Sequence, residues 1–201
     1  MFRILLLILC VSAWNSVFAV TPEEALSKAK DKLGRSTSLT ADFSMQADGK
    51  TFTGNIYSKG SKFAIISNAG SNWYNGKDLY TYSPSKNETT VFSPSASDLA
   101  EVNPLLYINS SSEFKVAGTK GKKAGVESVA LVPKNTGTGV RTVVLELDSN
   151  TFLPKNIKVY PTSGGVIDIT VSNLKLNAGV SDSSFEYPKD KYKNVQLIDM
   201  R

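Results

Sequence analysis

Residues Leu39 to Pro84 read LTADFSMQADGKTFTGNIYSKGSKFAIISNAGSNWYNGKDLYTYSP. Their alternation restricts the fold more than any other feature of the chain. Leu39, Ala41, Phe43 and Met45 fall on one side of an extended segment, with Thr40, Asp42, Ser44 and Gln46 on the other. A period of two is the mark of a half-buried strand. Asp48-Gly49, Lys59-Gly60 and Asn75-Gly76 then interrupt successive runs in which Phe52 and Ile56, Phe63 and Ile65, and Leu79 to Tyr82 resume the apolar pattern. Asn-Gly and Asp-Gly supply the positive φ values of short hairpin turns. The stretch therefore predicts an antiparallel meander with one apolar face, and that face needs a cover.

A candidate cover precedes it. Thr21-Pro22-Glu23-Glu24 has the composition of a helix start, with Thr21 as N-cap, Pro22 in the first turn and Glu24 closing a capping box. Ala25, Leu26, Ala29 and Leu33 then form a narrow apolar stripe at helical spacing, and Gly34 closes the helix. Strand patterns resume after the meander at Glu88 to Phe92, Phe114 to Ala117, Ser128 to Pro133, Val140 to Asp148, Ile157 to Tyr160 and Val166 to Leu176. Their spacing suits an all-β sandwich or barrel. From Asp182 onward, Phe185, Tyr187, Val195, Leu197 and Ile198 point to a closing turn and an edge strand.

Ser93 to Ser112 (SPSASDLAEVNPLLYINSSS) breaks the alternation. Ser97 to Ala100 and Pro104 to Ile108 each suit a short helix, and the segment carries Leu99, Leu105, Leu106, Tyr107 and Ile108. Long connections of this kind act as lids or binding loops.

Residues 1–19 read as an export signal: Arg3 is basic, Ile4 to Val11 are apolar, and Val17-Phe18-Ala19 presents a cleavage site. The alternative is a buried N-terminal helix. Cys10 follows Leu9, which is too large for a lipid-attachment signal. Cleavage after Ala19 leaves residues 20–201 as a single domain without cysteine.

The chain contains no histidine. The commonest general base and the commonest metal ligand are therefore missing, and a thiol nucleophile is missing from the mature chain. Asp42, Glu88, Glu101, Glu127, Glu146 and Asp168 stand singly at polar strand or loop positions. No enzyme activity, metal or cofactor is expected. The net charge of +5 comes from scattered lysines, with clusters at Lys120, Lys122 and Lys123 and at Lys189, Lys191 and Lys193. No basic stripe interleaved with aromatics points to nucleic acid. The charge fits an anionic membrane surface, an acidic partner or a solvated face.

Over nearly the whole mature region the chain resembles the periplasmic outer-membrane lipoprotein carrier proteins. The likeness is carried by Leu39 to Gln46, by Gly54, by Lys59-Gly60-Ser61-Lys62-Phe63, and above all by Asn75-Gly76-Lys77-Asp78-Leu79-Tyr80-Thr81-Tyr82-Ser83-Pro84. Asn103-Pro104-Leu105-Leu106 and Phe185 to Pro188 complete it.

The resemblance implies an incompletely closed antiparallel β-barrel of about eleven strands, with an N-terminal helix and short lid helices. It implies a monomeric periplasmic carrier that takes lipoprotein acyl chains from an inner-membrane ABC transporter to an outer-membrane acceptor. Lys59 stands where the family commonly has a lid-holding arginine, and lysine offers a point charge without the planar fork. The same two residues also read as a plain hairpin turn.

A sixteen-carbon chain gains about 12 kcal/mol from burial, at about 0.8 kcal/mol per CH₂. A carrier must match that and then let go. Candidate cavity residues are Phe43, Met45, Phe63, Ile65, Val143, Leu145, Ile167 and Ile169, with Leu99, Leu105, Leu106 and Ile108 under the lid. Each of these also suits an ordinary core. Two other readings stay open: a carrier or sensor of another lipid, glycolipid or lipopeptide on the same scaffold, and an interaction module or enzyme with a filled core.

Overall fold

The computed structural model describes residues 20–109, 111–119, 123–135 and 137–201. The export-signal reading of residues 1–19, with Cys10, lies outside the described residues, as do Lys120 and Lys122 of the first lysine cluster.

Helix α1 (Pro22–Gly34) begins with the capping box its sequence predicts. The Glu24 amide donates to Thr21 Oγ1 at 3.2 Å, and the Thr21 amide donates to Glu24 Oε2 at 3.0 Å. Ala25, Leu26 and Ala29 are buried. The meander follows as β1 (Leu39–Ala47), β2 (Lys50–Lys59), β3 (Lys62–Ser67), β4 (Gly70–Tyr74), β5 (Leu79–Ser83) and β6 (Glu88–Phe92). Asp48 and Gly49 both adopt positive φ, 50° and 72°, the two left-handed residues that a two-residue hairpin of right-handed twist needs.

The segment Ser93 to Ser112 folds as α2 (Ala96–Val102) and a 3₁₀ helix (Pro104–Ile108), followed by a 3₁₀ turn (Ser111–Glu113). The second half is β7 (Phe114–Gly118), β8 (Val126–Pro133), β9 (Val140–Asp148), β10 (Pro154–Pro161) and β11 (Ile167–Leu176). A 3₁₀ turn (Asp182–Phe185) and β12 (Gln196–Asp199) end the chain.

The twelve strands of the described residues form one open sheet in the order β12-β6-β5-β4-β3-β2-β1-β11-β10-β9-β8-β7. Its ends, β12 and β7, do not pair, so the barrel stays incompletely closed. The resemblance implies about eleven strands; β12, foreshadowed by the tail pattern, is laid parallel against β6. Two meanders meet where β1 pairs with β11. A register shift between Thr40 and Asp42 lies opposite Asn173, whose φ is 50°. The Asp42 carboxylate accepts from Asn55 Nδ2 and Asn173 Nδ2, both at 2.6 Å, and so ties three neighbouring strands together on the outer face.

Cross-strand rows line the inner face. One runs Val129, Leu145, Ile157, Ile169, Met45, Phe52 through successive register pairs. A second runs Leu131, Val143, Val159, Ile167. Rows of this kind are the unit of sheet stabilisation. Helix α1 lies against them, touching β7 and β8.

The meander has a second apolar face where alternation predicts one. Ala64 and Trp73 are buried on the outer side of β3 and β4, under Phe185 and Tyr187 of the C-terminal segment. Tyr187 stacks on Tyr80 at 5.1 Å, and Tyr192 meets Tyr82 at 4.5 Å and Trp73 at 5.5 Å. The reason is legible in hindsight. Phe63-Ala64-Ile65-Ile66 and Leu79-Tyr80-Thr81-Tyr82 place large apolar groups at both parities, as strands covered on both sides do. Among the described residues no helix is long and apolar enough to cross a membrane.

Candidate functional site

The inner face and the segment packed against it form the candidate site. Phe43, Phe63, Ile65, Val143, Leu145 and Ile169 are buried in one apolar cluster, with Leu105 and Ile108 of the lid segment in the same cluster. Met45, Ile167, Leu99 and Leu106 are partly buried and pack against it. The structure thus brings all twelve apolar candidates into one cluster, to which α1 adds Ala25, Leu26 and Ala29. Tyr107 and Phe114 add an edge-on ring contact at 5.9 Å.

The cover has two layers of unequal depth. The 3₁₀ helix buries Leu105, Tyr107 and Ile108, whereas α2 buries no residue. Local chemistry shapes both. Ser95 caps α2 reciprocally with Asp98: the Asp98 amide donates to Ser95 Oγ at 3.2 Å and the Ser95 amide to Asp98 Oδ2 at 2.8 Å. The Ser95 hydroxyl, donating to Asp98 Oδ2 at 2.7 Å, and then the Ser95 amide lower the Asp98 pKa. Asn103, almost fully buried, closes α2 with its backbone amide on the Leu99 carbonyl and starts the 3₁₀ helix by accepting the Leu105 amide through Oδ1.

The ends of the cover are tethered. Ser93 Oγ donates to Asp78 Oδ1 at 3.3 Å, and Asp78 is held from its other oxygen by the Arg201 guanidinium at 2.9 Å. At the far end Lys134 Nζ donates to the Ser112 carbonyl at 2.9 Å. Between these points Leu105, Tyr107 and Ile108 press into the apolar cluster, through contacts that have no directional preference.

Two clefts open at its margins. The larger, about 430 Å³, lies between α2, Tyr107, Glu113, Phe114 and the loop Gly137–Val140. That volume falls within the range of small-molecule sites. Its floor reaches the core through Tyr107, Phe114 and Val140. The smaller, about 150 Å³, lies between the end of α1, the turn at Lys59-Gly60 and Leu105-Leu106.

Lys59 therefore stands at the lid margin, but its ammonium goes elsewhere. It pairs with Asp182 Oδ2 at 2.9 Å, and Lys62 pairs with the other oxygen at 3.2 Å. Hydrogen bonds from Lys59 and then Lys62 lower the Asp182 pKa. This contribution to stability is complete above the ordinary carboxylate value of 3.8 and fades as pH falls through the lowered folded value. Sequence reasoning did not single out Phe114, Val140 and Glu113. They come from separate elements that only the fold brings to one cleft. Among the described residues no group of three or more Asp, Glu, His or Cys is placed to hold a metal.

The model of the family described as outer membrane lipoprotein carrier protein LolA matches residues 15–163. An uncharacterized conserved protein from Thermus thermophilus shares the fold at a TM-score of 0.58 and 14% identity, over 88% of this chain and 98% of its own. A LolA superfamily protein from Nitrosomonas europaea aligns at 0.47 and 14% identity, over 84% and 99%. The lipoprotein LppX of Mycobacterium tuberculosis aligns at 0.44 and 12% identity, over 80% and 97%. No curated protein matches the chain.

Proposed function

The chain belongs to the outer membrane lipoprotein carrier family, and from that premise we propose that it is a periplasmic carrier for the acyl chains of lipoproteins. In this reading it takes them up from an inner-membrane transporter and hands them to an outer-membrane acceptor, acting without catalysis. The carrying observation is the cover: a short helix with no buried residue and a 3₁₀ helix with three, packed into the apolar cluster on the inner face of an open sheet.

An acyl chain needs apolar surface on all sides, and it must leave again. Displacing the cover exposes Phe43, Phe63, Ile65, Val143, Leu145 and Ile169 as walls, with Met45 and Ile167 beside them. The acyl chain replaces the contacts that Leu99, Leu105, Leu106 and Ile108 give up. The near balance of those two sets of contacts makes loading reversible.

Lys59 occupies the margin where a lid tether would act, yet it is engaged with the C-terminal segment through Asp182. Lid control in this chain therefore falls to the anchors at Ser93 and Ser112.

Mass spectrometry of molecules that copurify with the protein from the periplasm tests the reading. Acylated protein fragments are expected. Free lipid, glycolipid or lipopeptide would move the reading to another cargo on the same scaffold, and the absence of any acylated molecule would contradict it.

A point variant tests the walls. Met45 faces inward between Ile169 and Phe52 and is only partly buried, so the fold tolerates change there. Met45→Asp places a carboxylate against the acyl chain and is expected to weaken uptake of a fluorescent fatty acid about tenfold or more. Ser44→Asp, on the outer parity, is expected to bind normally. Equal uptake by both variants, with native circular dichroism, would overturn the assignment of this wall.

A further inference from the structure

The cleft of about 430 Å³ beside α2 has a floor and a rim of different chemistry. Tyr107, Phe114 and Val140 form the floor and belong to the apolar core. Glu101 and Glu113 stand on the rim and are both exposed. Glu101 reaches across toward the loop after β8, where a Cβ built on Gly139 would lie 3.7 Å from its Oε1. Among the described residues neither carboxylate has an ion-pair partner. Lys134 is bonded to Glu113 through its backbone amide, but its ammonium donates to the Ser112 carbonyl.

A third group points the same way. Tyr107 is 5% exposed and lines the cleft, and its hydroxyl has no hydrogen-bond partner among the described residues. The hydroxyl is not among the sealed, unsatisfied polar atoms, so it opens to the cleft and is free to bond what occupies it. Burial and then the Glu101 carboxylate raise its pKa, so it remains a proton donor.

The cleft therefore joins an apolar floor, an unused hydroxyl beside that floor and two unpaired negative charges at the mouth. Building on the carrier reading, we infer that this cleft is the portal for an acyl chain whose headgroup carries an amine: the chain lies on Tyr107, Phe114 and Val140, and the ammonium sits between Glu101 and Glu113. The Tyr107 hydroxyl is left for a polar atom where chain and headgroup join. Anionic headgroups of the same chain length are disfavoured at this mouth by like charge.

Displacement of a fluorescent acyl probe by decylamine, decan-1-ol and decanoate at pH 7 tests the inference, since chain length is constant and only headgroup charge varies. The native protein is expected to prefer the amine over the alcohol about fivefold or more, and the alcohol over the acid. The Glu101→Gln/Glu113→Gln double variant is expected to bring the amine-to-alcohol ratio close to one. Both positions are exposed, and the neutral amide keeps their shape, so the variant folds. A native ratio near one with all three probes binding would overturn the amine assignment and leave the carrier reading standing. So would a preference that survives in the double variant. Binding of none of the three would overturn the carrier reading and this inference with it.

Discussion

Gly54→Ala is expected to remove about 3 kcal/mol or more of folding stability, and much of the soluble yield with it. Gly54 pairs with Phe43 on one side and Ser67 on the other. A Cβ at position 54 would collide with the Ile66 carbonyl oxygen and lie 2.9 Å from both Ser67 Cα and Phe43 Cε1. Two of these are backbone atoms, so no rotamer change relieves them. β3 must move away from β2, and Phe63 and Ile65 go with it. The Phe43 ring occupies the space a side chain would take, which is how an aromatic residue covers a strand glycine. Urea unfolding compared with the native protein measures the loss. A midpoint shift worth less than about 1 kcal/mol would mean that the strands separate here without cost, against the packing described.

Phe185→Ala is the second large effect. Phe185 is fully buried against Ala64 and Trp73 on the outer face. Truncating a buried phenylalanine costs about 3–5 kcal/mol. The loss falls on the C-terminal segment, because the aromatic contacts of Tyr187 and Tyr192 with Trp73, Tyr80 and Tyr82 depend on that anchor. With residues 1–19 absent, Trp73 is the sole tryptophan. Its emission is expected to shift to the red, and its quenching by acrylamide to rise, at denaturant concentrations where the strands are still formed. Unchanged emission and quenching would show that the tail holds without Phe185.

The inner face was legible because period two survives in it. Leu39, Ala41 and Phe43, and later Val143, Leu145 and Leu147, keep strict parity and are buried on the same side. The short helices of Ser93 to Ser112 were legible for the opposite reason. Leu105-Leu106-Tyr107-Ile108 has apolar residues without strand alternation, directly after a proline. The outer cluster was hidden because its two halves are far apart in sequence: Trp73 and Tyr80 lie on the meander, and Phe185 and Tyr187 more than a hundred residues later.

The larger cleft was hidden in the same way. Glu101 on α2, Glu113 before β7 and Val140 at the start of β9 share no local pattern, and each alone looks like a solvated or core position. The pairing of Lys59 was hidden because Asp182 is a single carboxylate in a serine-rich turn.

Hydrogen exchange across Leu99–Ile108, with and without a bound acyl ligand, tests the central claim most directly. Elements that open locally exchange faster than the sheet they cover. In the empty protein the amides of α2 and the 3₁₀ helix are expected to exchange well ahead of those in β9 and β10. Saturating acyl ligand is expected to change exchange in this segment, in either direction, since a filled interior can hold the cover down or prop it away. Clear ligand responses in the strands, with none in Leu99–Ile108, would contradict the account and leave the segment as a fixed part of the core.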